Sequence, residues 1–367
     1  MLFRSVHMKR SLMKKRRLKK LMQYLMEALR GFLALPFVKP LLLIIVSLCL
    51  LLILAPYLLT KIAPNPDGPE KELLPQASFE LIEPPDTITL YRSEEDKVET
   101  LNFEDYIKGV LAAEMPASFH EEALKAQAVA ARTYSLARTL NAEEKGNPDT
   151  HPQAPLCDST HCQVYRSESE LKKLKGTQWM AQDWKKICAA VDDTKGQLLY
   201  YNGQLVEQAL FHSSSGGKTE NSEDVFASTV PYLVSVDSPY EEDATHQNEK
   251  TTFSISEFAE TLKAEYPNIA FGDVNAANIK IISRNSGGSV EKMQIGDGII
   301  EGRNVREALA LPSANFTIDI SNGNIIFTSN GSGHGVGMSQ YGANGMAKKG
   351  FTYRDILSHY YSGTEVY

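Results

Sequence analysis

Residues 105–140 read DYIKGVLAAEMPASFHEEALKAQAVAARTYSLARTL, and the fold of the surrounding chain depends on this stretch. Glu114 closes a mostly apolar run two residues before Pro116, so we expect it at the end of a helix. A second helix is predicted to begin at Ser118, with Glu121 three residues later completing a capping box. The two helices would give the Glu114 carboxyl the rigid support that a general acid needs.

The second helix is rich in small side chains, which let another backbone approach closely. They are Ala123, Ala126, Ala128, Ala130, Ala131, Ser135 and Ala137. The same helix carries Arg132. A glutamate in a helix is usually a solvated surface residue, but Leu111 and Met115 beside Glu114 are apolar. A partly desolvated carboxyl has a raised pKa, as a general acid requires.

The charge of the 367-residue chain is divided between a basic N-terminal tail and an acidic remainder. Residues 1–40 contain eleven of the 38 Lys and Arg residues and one of the 45 Asp and Glu residues. Subtraction leaves 27 basic and 44 acidic residues in residues 41–367, a net charge of −17. An acidic main body disfavours nucleic acid as a partner, and 43% hydrophobic residues are typical of a globular protein.

Residues 41–59 (LLLIIVSLCLLLILAPYLL) form an apolar run long enough to cross a bilayer as one transmembrane helix. The basic residues 1–40 precede it, so the positive-inside rule predicts a cytoplasmic tail and an extracytoplasmic main body. A cleaved signal peptide is the first alternative, but the basic segment is long and no A-x-A site follows. A buried core helix is the second, against which the length and the charge asymmetry both argue. Contact of the tail with anionic lipid head groups is expected.

Residues 60–85 are rich in proline and acidic residues and predict a semi-extended linker that holds the domain off the membrane. Residues 86–367 then form the extracytoplasmic domain. Short strands are predicted at residues 87–92 and 97–101, and Asn-Gly pairs further along predict β-hairpins. Because separate helices and several β-hairpins occur without a βαβ rhythm, we expect an α+β fold.

The segment Gly331–Gly350 (GSGHGVGMSQYGANGMAKKG) is a glycine-rich loop that is predicted to run into a helix. It lacks the βαβ context of a dinucleotide site and the Gly-Lys-Ser/Thr of a P-loop. Two interpretations remain, a tight loop that needs glycine dihedral angles and a site for a bulky polar ligand such as a sugar. The polar side chains that it would present are His334, Ser339, Gln340 and Tyr341.

Residues 212–218 (HSSSGGK) form a second loop of small residues. Ser214 and its serine neighbours, with His212 or His334 as base, are compatible with nucleophilic catalysis, although the G-x-S-x-G elbow is absent. The alternative is a turn capped by hydroxyl groups. Lys218 either binds an anionic group or is solvated.

The best candidate for a metal-binding site in the sequence is a cluster of four residues, His151, Cys157, His161 and Cys162. Two imidazoles and two thiolates suit tetrahedral Zn²⁺, and four protein ligands would make the metal structural. A Cys157–Cys162 disulfide outside the membrane and free thiols are the alternatives.

Three segments together resemble the stage II sporulation protein D family of spore-forming bacteria and its amidase-enhancer relatives. They are AAEMPASFHEEALKAQAVAARTYS (112–135), FHSSSGGKTE (211–220) and GSGHGVGMSQYGANGMA (331–347). The resemblance extends from about residue 87 to the C-terminus, behind a single N-terminal membrane anchor. It implies a lytic transglycosylase that cleaves peptidoglycan strands stripped of stem peptides during engulfment.

The resemblance also implies roles for individual residues. Glu114, the glutamate of the E-M-P motif, would be catalytic, and Arg132, Lys218 and Tyr341 match motif residues that act on the substrate. With the polar residues of the two loops they form the predicted substrate-binding set, namely Arg132, Ser214, Lys218, His334, Ser339, Gln340 and Tyr341. Clostridial members hold a structural zinc in a His/Cys cluster, which implies zinc here and no organic cofactor.

The implied setting is the mother-cell membrane, with the catalytic domain facing the intermembrane space. The implied partners are glycan strands, a cell-wall amidase or endopeptidase of the engulfment machinery and a membrane scaffold protein. A lytic transglycosylase uses the C6 hydroxyl of its own substrate as nucleophile, so one carboxyl suffices where other glycosidases need two. The alternative function is a non-enzymatic glycan-binding enhancer of an N-acetylmuramoyl-L-alanine amidase.

Overall fold

The computed structural model describes residues 79–226 and 228–367, together with Met22, Tyr24 and Met26. The predicted tail (1–40), the predicted transmembrane helix (41–59) and most of the predicted linker (60–85) lie outside the described residues. Among the described helices, none has the length and apolar character needed to cross a bilayer. The described part contains eight α-helices and five small β-sheets, which confirms the α+β prediction.

Three long helices form the first half of the domain: α1 (Phe103–Glu114), α2 (Glu121–Lys145) and α3 (Glu168–Asp193). The two predicted short strands are present as β1 (Thr87–Arg92) and β2 (Lys97–Asn102), which pair antiparallel, and β3 (Leu156–Cys157) runs parallel to β1. The alanines in the first half of α2 are almost all fully buried, so its small side chains do allow close packing. This packing fixes α1, and with it Glu114.

The predicted start of the second helix at Ser118 is wrong, because α2 begins at Glu121. Its N-cap is His120, whose Nδ1 accepts a hydrogen bond from the backbone N–H of Glu122. The His120 backbone N–H in turn donates to Oδ1 of Asn344, 2.8 Å away. Residues 116–119 therefore form a turn in which Phe119 is buried and Ser118 is exposed.

The second half of the first core consists of short elements. They are β4 (Leu199–Tyr201), β5 (Gln204–Leu205), β6 (Phe211–His212), α4 (Ser222–Val225), β13 (Met338–Ser339), α7 (Gln340–Lys348), α8 (Tyr353–Tyr360) and β14 (Thr364–Val366). The Asn202-Gly203 turn has the positive φ angles predicted for a β-hairpin. β6 pairs in parallel with β13, which places the HSSSGGK loop beside the glycine-rich loop.

A second hydrophobic core lies within residues 249–329. Its elements are β7 (Glu249–Ser254), α5 (Ile255–Glu265), β8 (Ile279–Arg284), β9 (Val290–Ile295), β10 (Gly298–Glu301), α6 (Gly302–Ala308), β11 (Phe316–Ser321) and β12 (Asn324–Ser329). Two three-stranded antiparallel sheets, ordered β10-β9-β8 and β11-β12-β7, pack their apolar faces with the two helices.

Candidate functional site

Glu114 is the last residue of α1. The helix ends there because Met115 adopts an extended conformation, which is the preference of a residue that precedes proline. Met115 and Ala117 turn into the core, whereas the Glu114 side chain is half-buried. The sequence prediction of a carboxyl at a helix end therefore describes its position correctly.

Within the part of the chain that the structure describes, one hydrogen bond fixes the Glu114 carboxyl. The backbone N–H of Val164 donates to Glu114 Oε1 at 2.6 Å. Burial raises the pKa of Glu114, and the Val164 hydrogen bond only partly offsets this rise. Since the second oxygen has no donor within the described residues, the carboxyl is suited to hold a proton and pass it to a ligand.

The segment that carries Val164 is attached to α2. The side-chain amide of Gln163 donates to Ser135 Oγ at 2.8 Å and to the Ala131 carbonyl at 3.4 Å. Gln163 is itself buried. The donor that holds the Glu114 carboxyl is thus fixed to the second helix as well as to the first.

Arg132 does not occupy the position that was predicted for it. Its guanidinium is fully buried and makes two hydrogen bonds to the Glu104 carboxylate, from Nε at 2.9 Å and from Nη2 at 2.7 Å. Further bonds run to the carbonyls of Gln197 and Val191. Glu104 lies ten residues before Glu114 on α1, about 15 Å along the helix axis. Arg132 therefore joins α1 to α2 inside the protein and does not face a ligand at Glu114.

The His/Cys cluster comes together as the sequence predicts. The side-chain donor atoms of His151, Cys157, His161 and Cys162 all lie within 4.8 Å of one another. His151 Nε2 is 3.2 Å from His161 Nδ1 and 3.3 Å from Cys162 Sγ, which is 3.7 Å from His161 Nδ1. Both thiols are free, so the structure does not contain the alternative disulfide.

The three distances among His151, His161 and Cys162 fit a tetrahedral zinc site. Metal–nitrogen bonds of about 2.0–2.1 Å and metal–sulfur bonds of about 2.3 Å place neighbouring ligand atoms roughly 3.3–3.8 Å apart. His151 Nδ1 is 2.8 Å from the Ala154 carbonyl, a contact that leaves Nε2 free to face the cluster. Four protein donors complete the tetrahedron, so such a site would leave no position open for catalysis.

The glycine-rich loop needs its glycines. Gly331, Gly333, Gly335 and Gly337 all have positive φ angles. At Gly337, where φ is +74°, a Cβ atom would lie 2.1 Å from the Leu210 carbonyl oxygen. The loop can therefore lie against the strand β6 segment only if no side chain is present at this position.

Tyr341 connects this loop to the turn that follows Glu114. Its ring lies 4.9 Å from the Phe119 ring in an edge-to-face arrangement, and Phe119 is five residues beyond Glu114. The Tyr341 backbone N–H donates to the Ser213 carbonyl at 3.0 Å. Tyr341 is half-buried, so part of its side chain can reach a ligand beside this turn.

Three other predicted binding residues lie inside the scaffold. Ser339 caps α7 by accepting from the Gly342 N–H, and Gln340 is buried with its amide 3.5 Å from Gln127 Oε1. Ser214 is buried and donates to the Thr245 carbonyl at 3.4 Å. These side chains hold the two loops together, and contact with a ligand would require their exposure.

Lys218 is exposed at the end of the HSSSGGK loop. Its Nζ lies 3.8 Å from Asp237 Oδ1, a long contact between two exposed side chains. An exposed pair of this kind contributes little to stability. The exposed Lys218 ammonium is compatible with both alternatives, binding of an anionic group and solvation.

The two histidines of the loops are neutral in this environment. Burial lowers the pKa of His212 to about 3 and that of His334 to about 4, and in the latter case the charge of Arg306 adds to the effect. In the described part of the chain, neither ring hydrogen-bonds to Ser213, Ser214 or Ser215. The serine–histidine alternative therefore has no geometric support here.

Glu241 was missed by the sequence reasoning. Its buried carboxylate accepts from the Ser215 N–H at 2.7 Å and from the hydroxyls of Ser215 and Ser238. It is also within hydrogen-bonding reach of Ser339, and burial raises its pKa. Glu241 thus ties the HSSSGGK loop to the start of α7. Spacing along the chain does not mark it, because Ser238 is its only nearby partner in the described residues, whereas Ser215 lies 26 residues away.

A family profile and two curated relatives that match this chain are all described as stage II sporulation proteins. The profile of a family described as "Stage II sporulation protein" matches residues 91–201, a range that contains Glu114, Arg132 and the His/Cys cluster. Stage II sporulation protein D of Bacillus subtilis (strain 168) is 41% identical over 283 residues, 77% of this chain and 79% of that protein. The protein of the same name from Bacillus amyloliquefaciens is 41% identical over 287 residues, 78% of this chain and 80% of that protein.

A more distant relative carries a different name. The amidase enhancer of Bacillus subtilis (strain 168) is 32% identical over 306 residues, which cover 70% of this chain and 40% of that longer protein.

Proposed function

The chain belongs to the stage II sporulation protein D family, and from that premise we propose that it is a lytic transglycosylase of peptidoglycan. The proposed substrate is the glycan strand stripped of stem peptides, and the proposed setting is engulfment during sporulation. The bond to be cleaved joins N-acetylmuramic acid to N-acetylglucosamine, and the product carries a 1,6-anhydro end.

The observation that carries this proposal is the Glu114 carboxyl. It is half-buried, its pKa is raised by burial and, among the described residues, its single donor is the Val164 N–H. A carboxyl in this state holds a proton at a pH where an exposed one has lost it. It is thus suited to protonate the oxygen of a glycosidic bond.

The proposed reaction needs no second carboxyl. Glu114 gives its proton to the glycosidic oxygen, and the bond from that oxygen to C1 of the muramic residue breaks. The Glu114 carboxylate then takes the proton of the muramic C6 hydroxyl, whose oxygen forms a new bond to C1. The carboxyl is regenerated and no water is consumed.

We further propose that the His/Cys cluster holds zinc in a structural role. When bound, the metal would crosslink residues 151–162, the segment that leads directly to Val164. The cluster residues would therefore help to keep the Val164 N–H in place beside Glu114.

We also propose that the basic residues 1–40 and the apolar run 41–59 anchor the chain in the mother-cell membrane. Full-length protein should then remain in the membrane pellet after alkaline carbonate extraction, and a chain lacking residues 1–59 should appear in the supernatant. Recovery of the full-length chain in the supernatant would contradict the anchor.

The activity is tested on denuded glycan with Glu114→Gln. This change preserves the shape and the acceptor for Val164 but removes the acidic proton, so anhydro ends should fall at least about a hundredfold. Glu121→Gln, which alters an exposed carboxylate on α2, is the matched control and should retain activity. Anhydro ends formed by Glu114→Gln at the wild-type rate would exclude Glu114 as the acid.

The relative named amidase enhancer supports a second candidate function. In that case the domain binds glycan and stimulates an N-acetylmuramoyl-L-alanine amidase without cleaving the strand. The wild-type chain would then form no anhydro ends, and it would increase stem-peptide release by a cell-wall amidase to the same extent as Glu114→Gln.

A further inference from the structure

A cavity of about 450 Å³ lies between α6, the β8–β9 hairpin and the glycine-rich loop. Glu114 is not among its lining residues. Its lining includes Phe226, Lys292, Arg303, Arg306 and His334. The volume falls in the range of sites for small ligands.

Arg306 is the cation of this cavity that lacks an acidic partner. Lys292 lies 3.2 Å from a Glu291 carboxylate oxygen and Arg303 lies 2.6 Å from a Glu301 carboxylate oxygen. Within residues 79–226 and 228–367, by contrast, no carboxylate oxygen is within 4.0 Å of Arg306. Its Nε donates to the Pro312 carbonyl at 3.2 Å, and its two terminal nitrogens have no protein partner in the same residues.

A guanidinium in this situation favours a carboxylate ligand. The side chain is partly buried, so its charge is poorly screened by water. Its two terminal N–H groups can bind both oxygens of a carboxylate at once. The Arg306 guanidinium can therefore donate hydrogen bonds to one carboxylate of a ligand, since no carboxylate among the described residues pairs with it.

The rest of the lining indicates the kind of molecule that carries this carboxylate. The rings of Phe226 and His334 lie 5.5 Å apart and give the cavity an apolar wall, suited to the face of a sugar ring. Acidic side chains are also present and can accept hydrogen bonds from hydroxyl groups. They are Glu223, Asp224, Glu291, Glu301 and Glu307. Their charge disfavours polyanions such as phosphorylated polymers but tolerates a sugar with a single carboxylate.

The glycine-rich loop joins this cavity to the surroundings of Glu114. His334 lines the cavity, and Tyr341, seven residues later, packs on Phe119 in the turn after Glu114. A polymer that is bound at Glu114 and follows this loop would reach the cavity with another of its units.

We propose that Arg306 binds the free lactyl carboxylate of an N-acetylmuramic acid unit in a glycan strand. The inference rests on the proposed function, because it assumes that a glycan strand is the ligand. In an intact strand that carboxylate is consumed in the amide bond to the stem peptide. The cavity would therefore distinguish strands that have lost their stem peptides from strands that retain them.

The test is a binding measurement with the full-length chain carrying Glu114→Gln, so that the ligand is not consumed. One probe is a muramic-acid tetrasaccharide with free lactyl carboxylates, and the other is the same tetrasaccharide with these groups converted to methylamides. The parent should bind the carboxylate form about tenfold more tightly, as expected for charged hydrogen bonds. Adding Arg306→Gln should abolish this preference.

Two further variants control for folding and for general charge. Arg306→Lys keeps the positive charge and should keep part of the preference. Arg138→Gln removes a partly buried arginine on α2 that stacks on Tyr134 and should keep all of it. Equal binding of both probes by the parent, or an undiminished preference in Arg306→Gln, would overturn the proposal.

The outcome is separable from that of the proposed function. If the wild-type chain forms no anhydro ends but Arg306→Gln abolishes the preference, the catalytic proposal fails and the carboxylate site stands. If anhydro ends form but the parent binds both probes equally, only the carboxylate site fails.

Discussion

The backbone N–H of Val164 donates a hydrogen bond of 2.6 Å to Glu114 Oε1, so the end of α1 is fastened to a segment fifty residues further along the chain. Val164 follows Cys162 by two residues, and Gln163 between them binds α2. Three parts of the fold therefore position the carboxyl, namely the end of α1, the segment Gln163–Val164 and helix α2. Changes in any of them should affect the pKa of Glu114.

The raised pKa of Glu114 predicts how activity depends on pH. The acid must be protonated at the start of the reaction, so the rate should fall as the pH rises through the raised pKa. Val164→Pro removes the N–H that lowers this pKa, so the fall should move to higher pH. Val164→Ala keeps the N–H and should match the wild type. The measurement is the rate of anhydro-end formation on denuded glycan across the pH range.

The same pKa predicts a difference in stability. Because the folded-state pKa of Glu114 lies above that of the unfolded chain, its stabilising contribution is complete below the unfolded pKa and is lost as the pH rises through the folded pKa. The wild type should therefore lose stability relative to Glu114→Gln as the pH rises from the unfolded pKa through the raised folded-state pKa. Urea unfolding of both proteins at each pH measures this. A constant difference would mean that the carboxyl is not desolvated.

Arg132 should prove to be a stabilising residue. Arg132→Met leaves the largely buried Glu104 without its partner and should cost about 3–5 kcal/mol of unfolding free energy. The double variant Arg132→Met/Glu104→Met removes both charges and should recover most of this loss. Folded Arg132→Met should bind glycan as the wild type does. A stable variant with weakened glycan binding would instead support the substrate-binding role that the resemblance implies.

The His/Cys cluster should bind one zinc ion per chain. Cys162→Ala should lose the metal and lower the melting temperature of the domain, whereas Cys188→Ala, outside the cluster, should change neither. Metal content by elemental analysis and thermal unfolding provide the readouts. Full metal loading of Cys162→Ala would contradict the ligand set. A metal-free wild type in which Cys157 and Cys162 resist thiol reagents would support the disulfide.

Gly337 should tolerate no side chain. The new Cβ of Gly337→Ala would meet the Leu210 carbonyl oxygen, and the loop would have to leave β6. Gly350→Ala is the matched control, because Gly350 also has a positive φ angle but has no atom within 4 Å of the new Cβ. Gly350→Ala should lower the free energy of unfolding by roughly 1–2 kcal/mol through backbone strain alone. Gly337→Ala should lower it clearly more, as measured by urea unfolding.

The sequence predicted local structure well where the signal is local. The strands predicted at residues 87–92 and 97–101, the Asn-Gly hairpins and the helix after the glycine-rich loop are all present, because each follows from neighbouring residues. The start of α2 was misplaced because His120 is an uncommon cap, held by Asn344 more than 200 residues away. The distant partners Glu104 of Arg132 and Glu241 of Ser215 could not be read from spacing either.

For the candidate site, too, features set by neighbouring residues were predictable and features set by distant contacts were not. The helix-end position of Glu114 and the proximity of the four His/Cys side chains were predictable, since both depend on short local motifs. The burial of Arg132, Ser339 and Gln340 was not, because it depends on which helix faces meet. The Arg306 cavity was not anticipated, because its walls come from three separate stretches of chain.

The central claim is that Glu114 drives cleavage by intramolecular attack. Digestion of denuded glycan by the full-length chain in heavy-oxygen water, followed by mass spectrometry of the new ends, tests it most directly. Intramolecular attack should give anhydro ends that contain no heavy oxygen and that are absent when Glu114→Gln replaces the wild type. New reducing ends labelled with heavy oxygen would show attack by water and contradict it.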